Sequence, residues 1–259
     1  MSLVADPALL GSAVQVVTAL AVGTAALVGS LLSALTGSGG AIVLSLVLAP
    51  IIGVASVVQT ISVAMLLSHV ARVGAFRTLI DWPVTRRILS AAIPGCLAGA
   101  VLYTRLDEAA IGLVLGIFLI AIVVLKRLFA GRRFEIGPTG VLVASAFFGF
   151  LSGTTIGGGL LMIPILLGAG LGGAALVATD AIVGLTMHLT KTLVFGQAAV
   201  LTSAQVWLGA VIGLCMFPGA WLARALLARI PLKVHALLLD GVVALGGFSF
   251  VIQALRNRA

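Results

Sequence analysis

The chain consists mainly of long apolar stretches separated by short segments rich in glycine, proline or charge. Several stretches exceed the roughly 20 residues that a helix needs to cross the hydrocarbon core of a bilayer. The period-two alternation of apolar and polar residues that is typical of membrane strands does not occur in the sequence. The pattern therefore predicts an all-α integral membrane protein.

In the first half, the pattern predicts a segment at about 11–35, a break from Thr36 to Gly40, and a short apolar run at 41–49 that ends at Pro50. Longer segments follow at about 54–76, 88–103 and 109–125. The basic, glycine-containing stretch 126–140 reads as a linker, because charge and glycine interrupt the apolar pattern there.

The same order restarts after the linker, with an apolar run at 141–153, a break from Thr154 to Gly159 and a short run at 160–167. Longer segments follow at about 174–195, 206–227 and 234–255. We therefore predict two transmembrane repeats, residues 1–130 and 131–259, which form one structural unit. Each repeat has five segments, and the total of full membrane spans is about 8–10, depending on whether the short runs cross completely.

An offset of 119 residues aligns the two halves without a gap over the breaks and the long segment that follows each. It pairs Ser33 with Ser152, Thr36 with Thr155, Gly39-Gly40 with Gly158-Gly159, His69 with His188, Arg72 with Lys191, and Phe76 with Phe195. Residues as rare here as histidine do not coincide through composition alone. The halves are predicted to be copies of one another.

The loops suggest that the copies have opposite orientations. Basic loops face the cytoplasm, which places 77–87 and 126–133 inside. The counterpart of 77–87 in the second half, 196–205, has no charge, whereas 224–233 is basic and its counterpart 105–108 is nearly neutral in sum. This pattern predicts inverted-topology repeats, with both termini outside the plasma membrane (the inner membrane of a bacterium).

Composition supports a membrane protein and argues against nucleic acid as a partner. Apolar residues make up 61% of the chain, charged residues 8%, and the mean hydropathy is +1.30, whereas a soluble domain has roughly 25% charged residues. The net charge of +8 comes from basic residues that cluster in short loops. Such clusters are typical of the residues that determine the orientation of a membrane protein. The expected partners are a small anionic substrate and the lipid bilayer, and a homodimer is compatible with the sequence.

The two glycine-rich breaks are the candidate substrate site. Inside a bilayer, non-helical backbone occurs where it lines a cavity or is buried in protein, and duplicated short segments point to a transporter's binding site. Uncovered backbone N–H groups and the N-termini of the helices starting at Ala41 and Leu160 favour an anion. The predicted substrate-binding residues are Ser33, Thr36, Gly37, Ser38, Gly39, Gly40, Ser152, Thr154, Thr155, Gly157, Gly158 and Gly159. The alternative is a packing kink, which we favour for the isolated pair Gly95 and Gly99.

Ionisable residues inside the apolar segments are the second candidate group, since each charge there costs on the order of 3 kcal/mol. The candidates for charge or proton coupling are His69, Arg72, Asp180, His188, Lys191 and Asp240. Asp180 and Lys191 lie roughly 16 Å apart along one helix, so each needs another partner. The alternatives are that Arg72 and Lys191 snorkel to the segment ends and that Asp240 bonds a neighbouring helix.

Other features argue against an enzyme. The sequence has no Walker A loop, zinc-ligand cluster or nucleophile triad, so we expect neither catalysis nor a cofactor or bound metal. Trp82, Trp207 and Tyr103 lie near segment ends and are predicted interfacial anchors.

The second break resembles the signature of the TauE/SafE family, in the residues Gly149-Phe150-Leu151-Ser152-Gly153 followed by Ile156-Gly157-Gly158-Gly159 and Pro164. The first break resembles it more loosely, and the sequence departs from the family pattern at Ser38 and Thr155. The resemblance implies a secondary transporter that exports sulfite, sulfoacetate or another organosulfonate. The hypothesis is alternating access about the two breaks; the alternative is an anion channel that uses the same glycine-rich cradle.

Overall fold

The computed structural model describes residues 19–31, 33, 39–128, 137–156 and 158–226. This part of the chain is helical and contains no strand. Its helices are α1 (Ala19–Leu31), α2 (Gly39–Ile52), α3 (Val54–Phe76), α4 (Trp82–Tyr103), α5 (Glu108–Leu128), α6 (Pro138–Thr154), α7 (Gly159–Gly168), α8 (Gly173–Gln197) and α9 (Ser203–Leu226). The prediction of an all-helical chain is confirmed for these residues.

Helix α2 ends three residues later than predicted, at Ile52, whereas α3 begins at Val54 as predicted. Pro50 is inside α2, and the chain turns at Gly53, whose φ of 80° suits a residue without a Cβ. The carboxylate Oε1 of Glu108 accepts a hydrogen bond from the Val54 backbone N–H at 3.2 Å, which covers one of the unpaired donors that begin α3. The expectation that Pro50 ends the short run was wrong, because the break occurs where glycine permits the turn.

Helix α4 begins at Trp82, six residues before the predicted start at 88. Asp81 is its N-cap, and its carboxylate accepts a hydrogen bond from the Val84 backbone N–H at 2.9 Å. Arg86 and Arg87, predicted to lie in a loop, are therefore exposed residues of the first helical turns. The hydropathy pattern missed this start because the polar capping turn precedes the apolar run.

The order of helices in the described part repeats, with α1 to α4 followed, after α5, by α6 to α9. Packing between the two groups is reciprocal, since α3 contacts α9 while α4 contacts α8, and α3 and α8 contact each other. Helices α4 and α6 pack closely through glycines: a Cβ added at Gly99 would meet the Phe150 carbonyl oxygen, and one at Gly149 would meet the Ala92 carbonyl oxygen. The packing interpretation of Gly95 and Gly99 is confirmed.

Within the described ranges, three helical stretches are long and apolar enough to cross a bilayer by length and composition, namely Val54–Leu79, Trp82–Tyr103 and Gly173–Gln197. The short helices α2 and α7 have 14 and 10 residues, about 21 and 15 Å at the helical rise, which is less than the bilayer core. Large apolar side chains such as Val143, Phe147 and Leu214 face outward and are at least 60% exposed, as expected for surfaces in contact with lipid.

The three predicted aromatic anchors do not behave alike. Trp82 and Trp207 are exposed, but Tyr103 is buried, and its hydroxyl donates a hydrogen bond to the Ala55 carbonyl oxygen at 2.6 Å. Its ring lies 5.0 Å from that of Phe195, centroid to centroid. The prediction for Tyr103 was wrong, because this side chain joins α4 to α3 within the protein.

Candidate functional site

The predicted second break is confirmed. Helix α6 ends at Thr154, Thr155 is extended with φ −133° and ψ −179°, and α7 begins at Gly159. A Cβ added at Gly158 would meet the Ser152 side chain at about 3.1 Å, so the chain returns closely over the end of α6. The N-terminus of α7, with its partial positive charge, therefore lies beside the last turn of α6.

Several polar groups expected to be donors for a ligand are used within the protein. The Thr155 hydroxyl donates to the Leu151 carbonyl oxygen at 2.7 Å, and the Thr154 hydroxyl donates to the Phe150 carbonyl oxygen at 3.1 Å. In the first half, the Gly40 backbone N–H donates to the Ser33 hydroxyl oxygen at 3.2 Å. The expectation that these groups are free donors was wrong, because the helix ends at each break need them first.

A cavity of about 30 Å³ lies between the two halves. Its lining combines predicted residues of both groups, namely Ser152, Thr155, Gly158, Gly159, His69, Asp180, His188 and Lys191. The remaining lining residues are Ala41, Met65, Phe148, Gly184 and Met187. Residues of the second break and four of the six ionisable candidates thus line one cavity, whereas the sequence suggested two separate groups.

Arg72 and Asp180 form a buried ion pair beside the cavity. The Arg72 Nη2 donates to Asp180 Oδ2 at 2.8 Å, and the side chains are 1% and 4% exposed. Lys191 is also buried, and its Nζ donates to the Thr155 carbonyl oxygen at 3.4 Å. The snorkelling alternative for Arg72 and Lys191 was wrong, because both side chains point into the protein. The separate partners expected for Asp180 and Lys191 are Arg72 and the backbone of the second break.

The duplicated histidines meet at the cavity, with ring centroids 5.3 Å apart. His69 Nδ1 lies 2.8 Å from the Met65 carbonyl oxygen; because a carbonyl only accepts, this nitrogen carries the proton. Its Nε2 lies against Gly184, where an added Cβ would collide with the ring. His188 Nδ1 is buried and has no hydrogen-bond partner among the described residues, so a polar group that enters the cavity could bind there.

The family model for the sulfite exporter TauE/SafE matches residues 20–250. The chain belongs to the TauE/SafE family. No curated protein and no solved structure matches it. Family membership makes the chain a membrane transporter of the sulfite-exporter type.

The cavity of this TauE/SafE protein does not include every predicted residue. Ser33, Gly40, Thr154 and Arg72 are described but do not line it, and for Gly39 only the helical backbone is described. Thr36, Gly37, Ser38, Gly157 and Asp240 lie outside the described residues. Their assignment to the site therefore stays a prediction.

The lining residues that sequence reasoning missed are mostly apolar. Met65 and Gly184 are equivalent under the offset of 119, and each precedes a histidine of the pair by four residues. Residues four apart share a helix face, so the helical period starting from His69 and His188 could have identified both. Phe148 and Ala41 had no such signal, because an apolar residue in an apolar helix does not indicate which neighbour it contacts.

Proposed function

We propose that this TauE/SafE protein is a secondary transporter that exports a small sulfur oxyanion, sulfite or an organosulfonate, across the plasma membrane by alternating access. The observation that carries the proposal is the cavity in which the second break meets a buried lysine and two histidines. The family match supports transport and the sulfite-like class of substrate. The protein's own residues support the negative charge of that substrate.

Three groups in the cavity favour an anion. The N-terminus of α7 at Gly158 and Gly159 presents the positive end of a helix of 10 residues. The Lys191 ammonium is buried, and its one hydrogen bond to a described residue is the long one to the Thr155 carbonyl oxygen. A negative ligand would therefore compensate a charge that is costly to bury. The Ser152 side chain adds a hydroxyl at the same wall.

The size of the cavity favours a carrier that changes shape. A water molecule requires a cavity of about 10–15 Å³, so a cavity of about 30 Å³ has room for only a few water-sized groups. Sulfite has four non-hydrogen atoms, and an organosulfonate has more. The cavity must widen before it binds substrate, as expected of an occluded state in alternating access.

The packing of the helices supports a rocking motion of two halves. The contacts of α3 with α9 and of α4 with α8 are reciprocal, which is what a two-fold axis between inverted repeats would produce. We therefore propose that inverted repeats, with both termini outside, move about the cavity. With the cell interior negative, the membrane potential assists anion export by roughly 2.3 kcal/mol per charge per 100 mV.

The test is uptake of radiolabelled sulfite by inverted membrane vesicles. Lys191→Gln is expected to lower the initial rate by at least about tenfold, because it removes a buried countercharge. Arg87→Gln is the matched control, since it removes one exposed cation from α4 and is expected to leave the rate within about twofold. Equal rates in the lysine variant and the wild type would overturn the proposed site, and an absence of flux for any anion would overturn transport.

The same vesicles separate a carrier from the channel alternative. Preloading them with unlabelled sulfite is expected to accelerate entry of the labelled anion, because a carrier exchanges substrate across its two states. A channel shows no such counterflow, and uptake that rises linearly with concentration would favour it.

A further inference from the structure

The cavity contains one charge that breaks the repeat. The offset of 119 residues pairs Arg72 with Lys191 and His69 with His188, but it places Asp180 at the position of Ile61. If the two halves were identical, two cations and no carboxylate would lie at the cavity. Asp180 makes the halves electrostatically unequal.

The carboxylate neutralises one cation and leaves the other. Asp180 Oδ2 lies 2.8 Å from Arg72 Nη2, and both side chains are buried. Lys191 is 2% exposed, its acceptor is the neutral Thr155 carbonyl oxygen, and within the described ranges no carboxylate forms an ion pair with it. Counted over those ranges, the site has one net positive charge, and it belongs to Lys191.

We propose that this asymmetry makes the site selective for monoanions, with Lys191 as the counter-ion of the substrate and Asp180 as the residue that sets the valence. The inference rests on the proposed function and narrows its substrate class. A monoanion neutralises Lys191, whereas a dianion leaves an unbalanced negative charge in surroundings of low dielectric. Hydrogen sulfite and simple alkanesulfonates fit this site; dianions such as sulfoacetate do not.

Arg72 carries a second positive charge, which Asp180 neutralises in the wild type. Its Nε and Nη1 atoms are buried and have no hydrogen-bond partner in the described part of the protein. If the carboxylate at position 180 were replaced by an amide, the guanidinium would need another negative partner. A substrate with two negative charges could then be balanced by Lys191 and Arg72 together.

The test compares two probes of similar size and different charge, 2-hydroxyethanesulfonate (a monoanion) and sulfoacetate (a dianion), as competitors of labelled 2-hydroxyethanesulfonate uptake. The wild type is expected to be inhibited at least about tenfold more strongly by the monoanion. Asp180→Asn is expected to decrease this preference for the monoanion over the dianion by about tenfold or more. The double variant Arg72→Gln/Asp180→Asn keeps one net positive charge, so its preference is expected to match that of the wild type.

Equal competition by the two probes in the wild type would overturn the inference while leaving transport intact. The inference would also be overturned if Asp180→Asn kept its uptake and its preference for the monoanion over the dianion were unchanged. A smaller preference in Asp240→Asn would overturn it as well, because Asp240 would then be the residue that determines the charge of the substrate. If neither probe nor sulfite moved, the proposed function would fail as well. If Asp180→Asn does not accumulate in folded form, His188→Lys is the second variant, because it adds a cation to the cavity wall and keeps the ion pair. The same decrease in the preference for the monoanion is expected. An unchanged preference in His188→Lys would also overturn the inference.

Discussion

Breaking the ion pair between Arg72 and Asp180 is expected to lower the free energy of unfolding more than any other single substitution considered below. Asp180→Asn removes the negative charge and leaves a guanidinium that is 1% exposed, with two further nitrogen atoms unpartnered among the described residues. Removing one partner of a buried pair costs about 3–5 kcal/mol. The asparagine oxygen can still accept one hydrogen bond, which recovers about 1 kcal/mol. We therefore expect a loss of about 3 kcal/mol.

The assay is thermal unfolding of the detergent-solubilised protein, followed by tryptophan fluorescence. At about 2–4 °C per kcal/mol for a chain of this size, the apparent Tm is expected to fall by roughly 6–12 °C. Asp107→Asn is the matched control, because Asp107 is exposed and its capping hydrogen bond to the Ala110 N–H is one that asparagine can also accept. Its expected shift is within about 2 °C.

A double-mutant cycle separates the pair from its surroundings. Arg72→Gln/Asp180→Asn removes both charges of the pair and leaves neither partner as an unpaired buried ion, so the double variant is expected to be more stable than either single variant. If Asp180→Asn unfolded within about 2 °C of the wild type, or if the double variant lost the sum of the two single effects, the claim that a buried ion pair joins α3 to α8 would be refuted.

The other predictions concern contacts between helices. Gly99→Ala is expected to lower the apparent Tm by several degrees, because the new Cβ would collide with the Phe150 carbonyl oxygen. Gly74→Ala is the control, because Gly74 lies in α3 with open space around it. The control is expected to be neutral or to stabilise the protein by up to about 1 kcal/mol. Equal stability of the two variants would contradict the close packing of α4 on α6. Tyr103→Phe is expected to cost about 1 kcal/mol in the same assay, because it removes the hydrogen bond from the Tyr103 hydroxyl to the Ala55 carbonyl oxygen. An unchanged Tm would show that this hydrogen bond contributes nothing.

The sequence predicted the features that depend on local pattern. The helix break after Thr154 and the bounds of α3 follow from glycine spacing and apolar runs, and the structure has them where the pattern indicated. Helix starts were less accurate where a polar capping turn precedes the apolar residues, as at Asp81. Such a turn is helical by hydrogen bonding and polar by composition, so hydropathy does not detect it.

Features that depend on contacts distant in sequence could not be predicted. The sequence identified Asp180 as a residue in need of a partner, but Arg72 lies 108 residues away, and only the packing of α3 against α8 brings the two together. Tyr103 shows the same limit, since an aromatic residue at a helix end suits an interface as well as a buried contact. The repeat narrowed these choices, because it showed that the histidines and basic residues occur as equivalent pairs.

The central claim, that an anion binds between the second break and Lys191, is tested most directly by a structure of the protein with 2-hydroxyethanesulfonate bound. The account predicts a sulfonate group within hydrogen-bonding distance of Lys191 Nζ and of the backbone N–H groups of Gly158 or Gly159, in a cavity wider than the present 30 Å³. A sulfonate bound elsewhere, with Lys191 still bonded only to the Thr155 carbonyl oxygen, would contradict it.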